Sequence, residues 1–571
     1  MAIPSLNIGG GKWATKQDKL LAYKQNIGGR YFAINGDTSR NSTATFTNQN
    51  GLIDSVGNNV ARVDFQDDVK GSLLLEPQST NLITQSESFG NSYWTKSGAS
   101  IEGDPSTAGA LVSSSDFSVG VDGYETARTV MSGNIDGILG VNDVLRFYAN
   151  ADANTHYVRA INKLIGNSLT YVTFDYYIPT SNTNVDGFNL LSGIGAFTSN
   201  NESFGVTGSW ISASGFALGT SSTIQFRMTS GGNTSFSGAN LITDDLVYLK
   251  NIVVREAVGF ASPSLDSPMG AFKLVEGINT GGHLLQKVSS TSNGVIHTAS
   301  VFVKYAGREW LRFTDAQSSN RVHFNTLTGL FGVVSGSVIS YDSEALADGW
   351  YRLNIITTTV AAAYALRISL AEADNDVSYT GDGTSGIYIY GAQLEALPYA
   401  TSYIPTSGST VTRVQDVATD FGDVNTFNSE EGVLFVEMAA LSDDLTQRFV
   451  AVSNGTSNNR LILGYDSFSN RVISFARVNG SLSFDIKVVI TDIQNYNKLA
   501  LRWKENDFSL WCNGLKIGED LSGSSFPIGI LDSFKFSDAD GTTEIFKGKT
   551  KQVQVYKEAL TDAQLITLTT I

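Results

Sequence analysis

The sequence predicts an all-β protein of tandem β-sandwiches of the jelly-roll type. One sandwich is inserted in another, and a region of very short strands precedes them. Three observations carry this reading. Apolar residues alternate with polar ones over short runs, as in Ile387–Tyr390 and Lys498–Trp503, with no long amphipathic helical period and no heptad run. Gly 56 stands against Pro 9, with aromatics at 11%, which suits many strands joined by tight turns. Two strand signatures also recur in the same order. Leu169–Pro179 matches Ile296–Tyr305 in pattern, and Leu246–Glu256 matches Gly386–Glu395.

At 571 residues the chain has room for about three or four domains. Hydrophobic residues make up 42%, enough for real cores, and charged residues only 16%. A formal net charge of −16 repels nucleic acid and anionic membrane surfaces, so neither is an expected partner. The single cysteine, Cys512, allows no internal disulfide. The N-terminal stretch lacks a basic start and apolar core, and no apolar run approaches the ~18 residues of a membrane span. The expectation is synthesis and folding in a cytoplasm without membrane insertion.

Residues 1–84 read as very short strands broken by Asn-Gly and Gly-Asn turns, with a short helix over Asp18–Ala22. They hold too little apolar surface for a core of their own, so an assembly or attachment region covered by partner chains is expected. Residues 85–101 carry a first strand around Trp94, and its continuation reappears only at Ala261. The intervening residues 102–257 carry their own closing strand, Leu246–Glu256, and are read as the inserted sandwich. Residues 258–411 complete the host sandwich. From residue 412 to 571 alternating runs lead to the Asn513-Gly514 hairpin turn and a final short helix, with Thr561 as N-cap and Gln564 at the capping-box position.

The stretch Ser378–Thr412 is a glycine-rich loop, an Ile-Tyr-Ile-Tyr strand, then Pro398 and Pro405, which cannot donate to a ladder. It resembles a segment of tail-fibre and other surface-fibre proteins of bacteriophages and prophages, where it closes a carbohydrate-binding-module-like jelly roll. Ser39–Thr45, Leu73–Pro77 and Thr80–Leu82 are similar to the front of the same family. Trp503–Ile517 and Tyr556–Asp562 are similar to laminin-G-like, concanavalin-type jelly rolls. The resemblance implies a virion fibre or receptor-binding protein on tail or capsid surface, trimeric, with host-surface polysaccharide and other virion proteins as partners. A spacer role, such as a capsid decoration or head fibre, stays open. So does a glycan-degrading enzyme with binding modules.

No catalytic motif is visible. His156, His283, His297 and His323 lack zinc-ligand spacing, no Gly-x-Ser-x-Gly occurs, and no carboxylate pair is marked out for glycoside hydrolysis. The expectation is a protein that is not an enzyme and needs no cofactor. Asp374, Asp376 and Asp382 could bind calcium through oxygen ligands, or form Asx turns in solvated loops. Trp94, Trp310, Trp350, Trp503 and Trp511 fall inside alternating strands and read as core. Trp210 sits in a polar stretch and is the candidate for stacking against a sugar ring.

Overall fold

The computed structural model describes residues 2–571 apart from 12, 14, 17–18, 26–30, 104–110, 128, 150–156, 165–167, 184, 186, 193–194, 200–203, 206–207, 220–221, 230–244 and 258. His156 lies outside the described residues. The strand pairing resolves three sandwiches, and the first is built from both sides of an interruption. One of its six-stranded sheets runs Thr95–Ser97, Leu284–Ser290, Ala363–Ala371, Trp310–Asp315, Asn320–Asn325, Leu330–Ser335. The other runs Ala99–Glu102, Phe272–Glu276, Gly386–Glu395, Ile296–Ala306, Tyr351–Thr358, Val338–Ala345. All neighbours are antiparallel, and Ile101 pairs with Leu274. Phe89 and Trp94 share a core with Phe272, Val301 and Ile389. The rings of Phe89 and Phe272 meet edge to face at 5.7 Å.

The glycine-rich loop before Gly386–Glu395 follows from close backbone approach. A Cβ on Gly386 would lie 2.0 Å from the Leu274 carbonyl oxygen, and one on Gly381 would lie 2.1 Å from that of Gly277. The strand it feeds is buried on both faces. Its outer face carries Tyr390, which packs with Phe302, Trp350, Tyr403 and Ile53 in a second apolar layer.

Between Glu102 and Phe272 the chain forms a separate sheet system. Its central run is Gly195–Ser199, Ile211–Gly219, Ser168–Tyr177, Leu246–Glu256, Val144–Ala149, Thr129–Ile135. The sheet continues through Gly187–Ser192, Ile224–Thr229 and Tyr157–Ala160 to Tyr124–Ala127. Phe174, Phe188, Phe204, Phe226 and Leu249 fill its core, which contains none of the host-sandwich residues.

The C-terminal sandwich packs a five-stranded sheet, Ser481–Val489 to Ser533–Lys535, on a sheet in which Gly548–Tyr556, Glu431–Ala440, Asn497–Lys504, Phe508–Cys512 and Leu515–Asp520 are neighbours. The outer edge of Gly548–Tyr556 is taken by the N-terminal region. Leu6–Gly9 pairs with residues 552–555, and Ser72–Leu75 reaches residues 548–550. Leu6, Ile8, Leu73 and Leu75 are buried in the same core as Trp503 and Val553. Much of the cover that residues 1–84 need therefore comes from their own chain, across more than 500 residues of sequence. The helix expected over Asp18–Ala22 is replaced by a strand, Lys19–Gln25, which pairs with Tyr31–Asn35 and with Leu6–Gly9. Ladder pairing outweighs the weak local helix preference there. Asn513 and Gly514 both take positive φ in the hairpin, and helix Asp562–Thr569 carries the Thr561–Gln564 capping box.

A buried ionic cluster joins the N-terminal region to residues 413–416. Arg62 donates to Glu76 at 2.6 Å and also to Asp416, while Arg40 donates to Asp416 at 2.9 Å. Arg413 lies 3.4 Å from Glu76 and 3.5 Å from Asp416. All five side chains are buried. Ser402 closes the cluster by donating its N–H and hydroxyl to Glu76, each at 2.7 Å.

Candidate functional site

The inserted sandwich carries Trp210. Strand Ser168–Tyr177 alternates in burial from Thr170 onward. Val172, Phe174 and Tyr176 point into the core, so Thr173, Asp175 and Tyr177 point outward. Tyr177 pairs with Tyr248 of the neighbouring strand, and Tyr248 pairs with Arg146 of the next. Residues directly opposite on antiparallel strands share a face. Trp210, just before strand Ile211–Gly219, joins the same row. Its ring lies 5.9 Å from that of Tyr177, which is stacked on Tyr248 at 5.5 Å and 20°. Trp210, Tyr177, Tyr248 and Arg146 thus form one outward row across four elements.

A polar row runs beside it. Asp175 accepts from the Ser212 hydroxyl at 2.5 Å and from the Asn251 amide at 2.7 Å. The 136–143 loop folds onto this face as a wall. Trp210 Nε1 donates to the Ile138 carbonyl at 3.0 Å, and Lys250 Nζ donates to that of Asn142 at 2.5 Å. Trp210 and Tyr177 are half-buried, while Tyr248 is 6% exposed and forms the floor. Burial pushes the Tyr248 phenol above its ordinary value. It therefore stays a neutral hydrogen-bonding group at physiological pH. Such a face offers ring surface to the apolar side of a pyranose, and a carboxylate, amides and hydroxyls to its hydroxyl groups.

Of this row the sequence singled out Trp210 alone. Tyr177, Tyr248, Arg146 and Asp175 were missed, although the alternation of Ser168–Tyr177 already assigns Asp175 and Tyr177 to the outward phase. Trp94, Trp350, Trp503 and Trp511 are buried in cores, Trp94 and Trp350 from positions just before a strand, whereas Trp310, also expected in a core, is half-buried on its strand.

The three aspartates proposed for calcium each accept from a different set of backbone donors. Asp374 accepts from the Val333 N–H at 2.9 Å. Asp376 accepts from that of Ser378 at 3.3 Å. Asp382 accepts from Thr384 and Ser385 N–H, each at 2.7 Å, and from the hydroxyls of both. Those donors hold its carboxyl well below the usual carboxylate range. Among the described residues no group of three or more His, Cys, Asp or Glu is placed to hold a metal ion. Asp376 and Asp382 satisfy donors two or three residues on in their own turns, and Asp374 reaches across to strand Leu330–Ser335.

No protein-family model and no curated protein matches the chain. Solved structures similar to parts of it include carbohydrate-binding modules and laminin G domains. A Ruminococcus gnavus sialidase module, CBM40 bound to α2,3-sialyllactose, is 19% identical, with 26% of this chain and 93% of that chain covered, at a TM-score of 0.23. The tandem CBM22 domains of Paenibacillus barcinonensis Xyn10C are 10% identical, covering 51% and 98%, at 0.21. Mouse laminin α1 domains LG4-5 are 10% identical, covering 49% and 86%, at 0.19. These scores are low, and the sandwich architecture rests on the strand pairing itself.

Proposed function

We propose that this chain is a bacteriophage or prophage virion fibre protein that binds host-surface glycans, with the outer face of the inserted sandwich as its binding surface. The observation that carries the glycan reading is the row Trp210–Tyr177–Tyr248, flanked by Arg146 and by the Asp175–Ser212–Asn251 cluster. Aromatic rings beside hydrogen-bonding groups on an outward sheet face suit a pyranose better than a peptide strand or a nucleic acid. The excess of acidic residues opposes the latter further. The fibre role is supported by the resemblance of Ser378–Thr412 and of the segments around Arg40 and Glu76. On this reading the protein binds without turnover, assembles as a homotrimer and joins other virion proteins.

A glycan array probed with the purified full chain tests the binding reading, with binding to a defined set of surface polysaccharides as the expected result. Absence of binding to every glycan would favour a spacer role. Release of reducing sugar from a bound polysaccharide would replace binding with hydrolysis. Light scattering at micromolar concentration tests the trimer, and a monomer mass contradicts it.

A further inference from the structure

We propose that a groove on the C-terminal sandwich, with Lys547 in its wall, is a second binding site and takes the carboxylate of an acidic saccharide. The groove is open and has a volume of about 560 Å³. That is within the size range of small-molecule sites. Gln415, Gln447, Ser467, Thr543, Glu544 and Lys547 supply its polar groups.

Lys547 is the feature that calls for a ligand. Its ammonium donates to Gln415 Oε1 at 2.8 Å, and no ion pair with a carboxylate is formed among the described residues. It stands close to the buried ionic cluster, where Arg40, Arg62 and Arg413 meet Glu76 and Asp416. Lys547 and Glu544 are the charged side chains that line the groove, and they form no ion pair with each other. Burial, with Arg413 and Arg448 adding to it and Asp416 opposing, lowers the Lys547 amine to about 8. A carboxylate brought to it would give the ammonium an ionic partner and favour its charged form.

The groove walls carry backbone strain of their own. Leu445 and Glu544 both line it, and both take left-handed φ, 62° and 42°. Neither is a residue type that adopts this conformation readily. Glu544 forms no ion pair among the described residues and can accept hydrogen bonds from hydroxyl groups. Gln447 is anchored by donating to Asp466 at 3.3 Å. The residue after Ser467 is Phe468, 58% exposed, with the Arg471 guanidinium 3.7 Å from its ring centroid. One ammonium, amide and hydroxyl partners and a nearby aromatic ring match a singly charged sugar acid. This site is independent of the aromatic face on the inserted sandwich.

The test is calorimetric titration of the full chain with trigalacturonate, its neutral counterpart galactotriose, and a sulfated trisaccharide. Trigalacturonate is expected to bind at least tenfold more tightly than galactotriose. Lys547→Met should weaken it at least tenfold without lowering Tm, and Lys547→Arg should retain it. Loss of trigalacturonate binding in Tyr177→Ala but not in Lys547→Met would place the acid on the aromatic face and overturn the proposal. No binding of trigalacturonate, equal binding of galactotriose, or full affinity in Lys547→Met overturns the proposal. Binding confined to the sulfated probe overturns the carboxylate assignment. Should Lys547→Met fail to fold, Gln447→Ala is expected to weaken trigalacturonate at least threefold, and unchanged affinity there is equally fatal.

Discussion

Arg62 donates to Glu76 and to Asp416, two acids 340 residues apart in sequence, and so fastens the N-terminal region to the segment entering the C-terminal sandwich. The guanidinium and both carboxylates are buried, so removing Arg62 takes away the shortest buried donors to Glu76 and Asp416 and leaves those acceptors to the longer contacts of Arg413 and to Arg40. Arg62→Met is expected to cost about 3–5 kcal/mol. Chemical denaturation followed by fluorescence checks this, and a change under about 1 kcal/mol would mean that the cluster contributes little.

The same cluster gives a pH dependence. Burial alone would push Glu76 up, but Arg413 and Arg62 hold it well below the usual carboxylate range. A depressed folded-state value stabilises the fold above the ordinary glutamate range, near pH 4.3. The contribution is then lost as pH falls through the folded value. Stability should therefore decline progressively below about pH 4.3, and Glu76→Gln should flatten that part of the curve. Equal acid sensitivity of the variant and the parent would contradict the assignment.

Ile101 pairs with Leu274, while the residues between them close a core of their own. Replacing residues 104–257 by a short Gly-Ser bridge should leave a host sandwich that unfolds cooperatively. A truncated protein with no cooperative transition would count against this reading. Insertions at loops are tolerated when the two crossings lie close together.

Gly386→Ala places a methyl group against the Leu274 carbonyl oxygen. A loss of about 1–3 kcal/mol is expected from overpacking, with no change in oligomeric state. Thermal unfolding of the variant measures it.

Cys512 is buried, and burial pushes its thiol up to about 11. Almost no thiolate exists near pH 8, so a disulfide reagent should label it only after unfolding. Fast labelling of the native protein would place the thiol at the surface.

Local signals were the legible part of this fold. The Asn513-Gly514 turn, the Thr561–Gln564 cap and the alternation of Gly386–Glu395 are written within a few residues, and the structure follows them. The strand Leu6–Gly9 was not legible as a partner of Gly548–Tyr556, because nothing in a four-residue strand names a mate at the far end of the chain. The ionic cluster escaped for the same reason, since Arg62, Glu76 and Asp416 meet only after the N-terminal region wraps back. At the candidate site Trp210 stood out by its polar neighbours, whereas Tyr177 and Tyr248 looked like ordinary strand residues until pairing placed them on one face.

The most direct test of the glycan reading is calorimetric titration of the full chain with the tightest array glycan, repeated on Tyr177→Ala and Trp210→Ala. Each truncation removes a stacking ring on the outer face without opening a core, so Tm should hold. A stacked ring contributes about 0.5–1.5 kcal/mol beyond its buried area. The predicted result is saturable binding by the parent chain and a loss of about tenfold in each variant at unchanged Tm. Equal affinity in all three proteins would contradict the account, because the glycan would then be held somewhere other than the aromatic row.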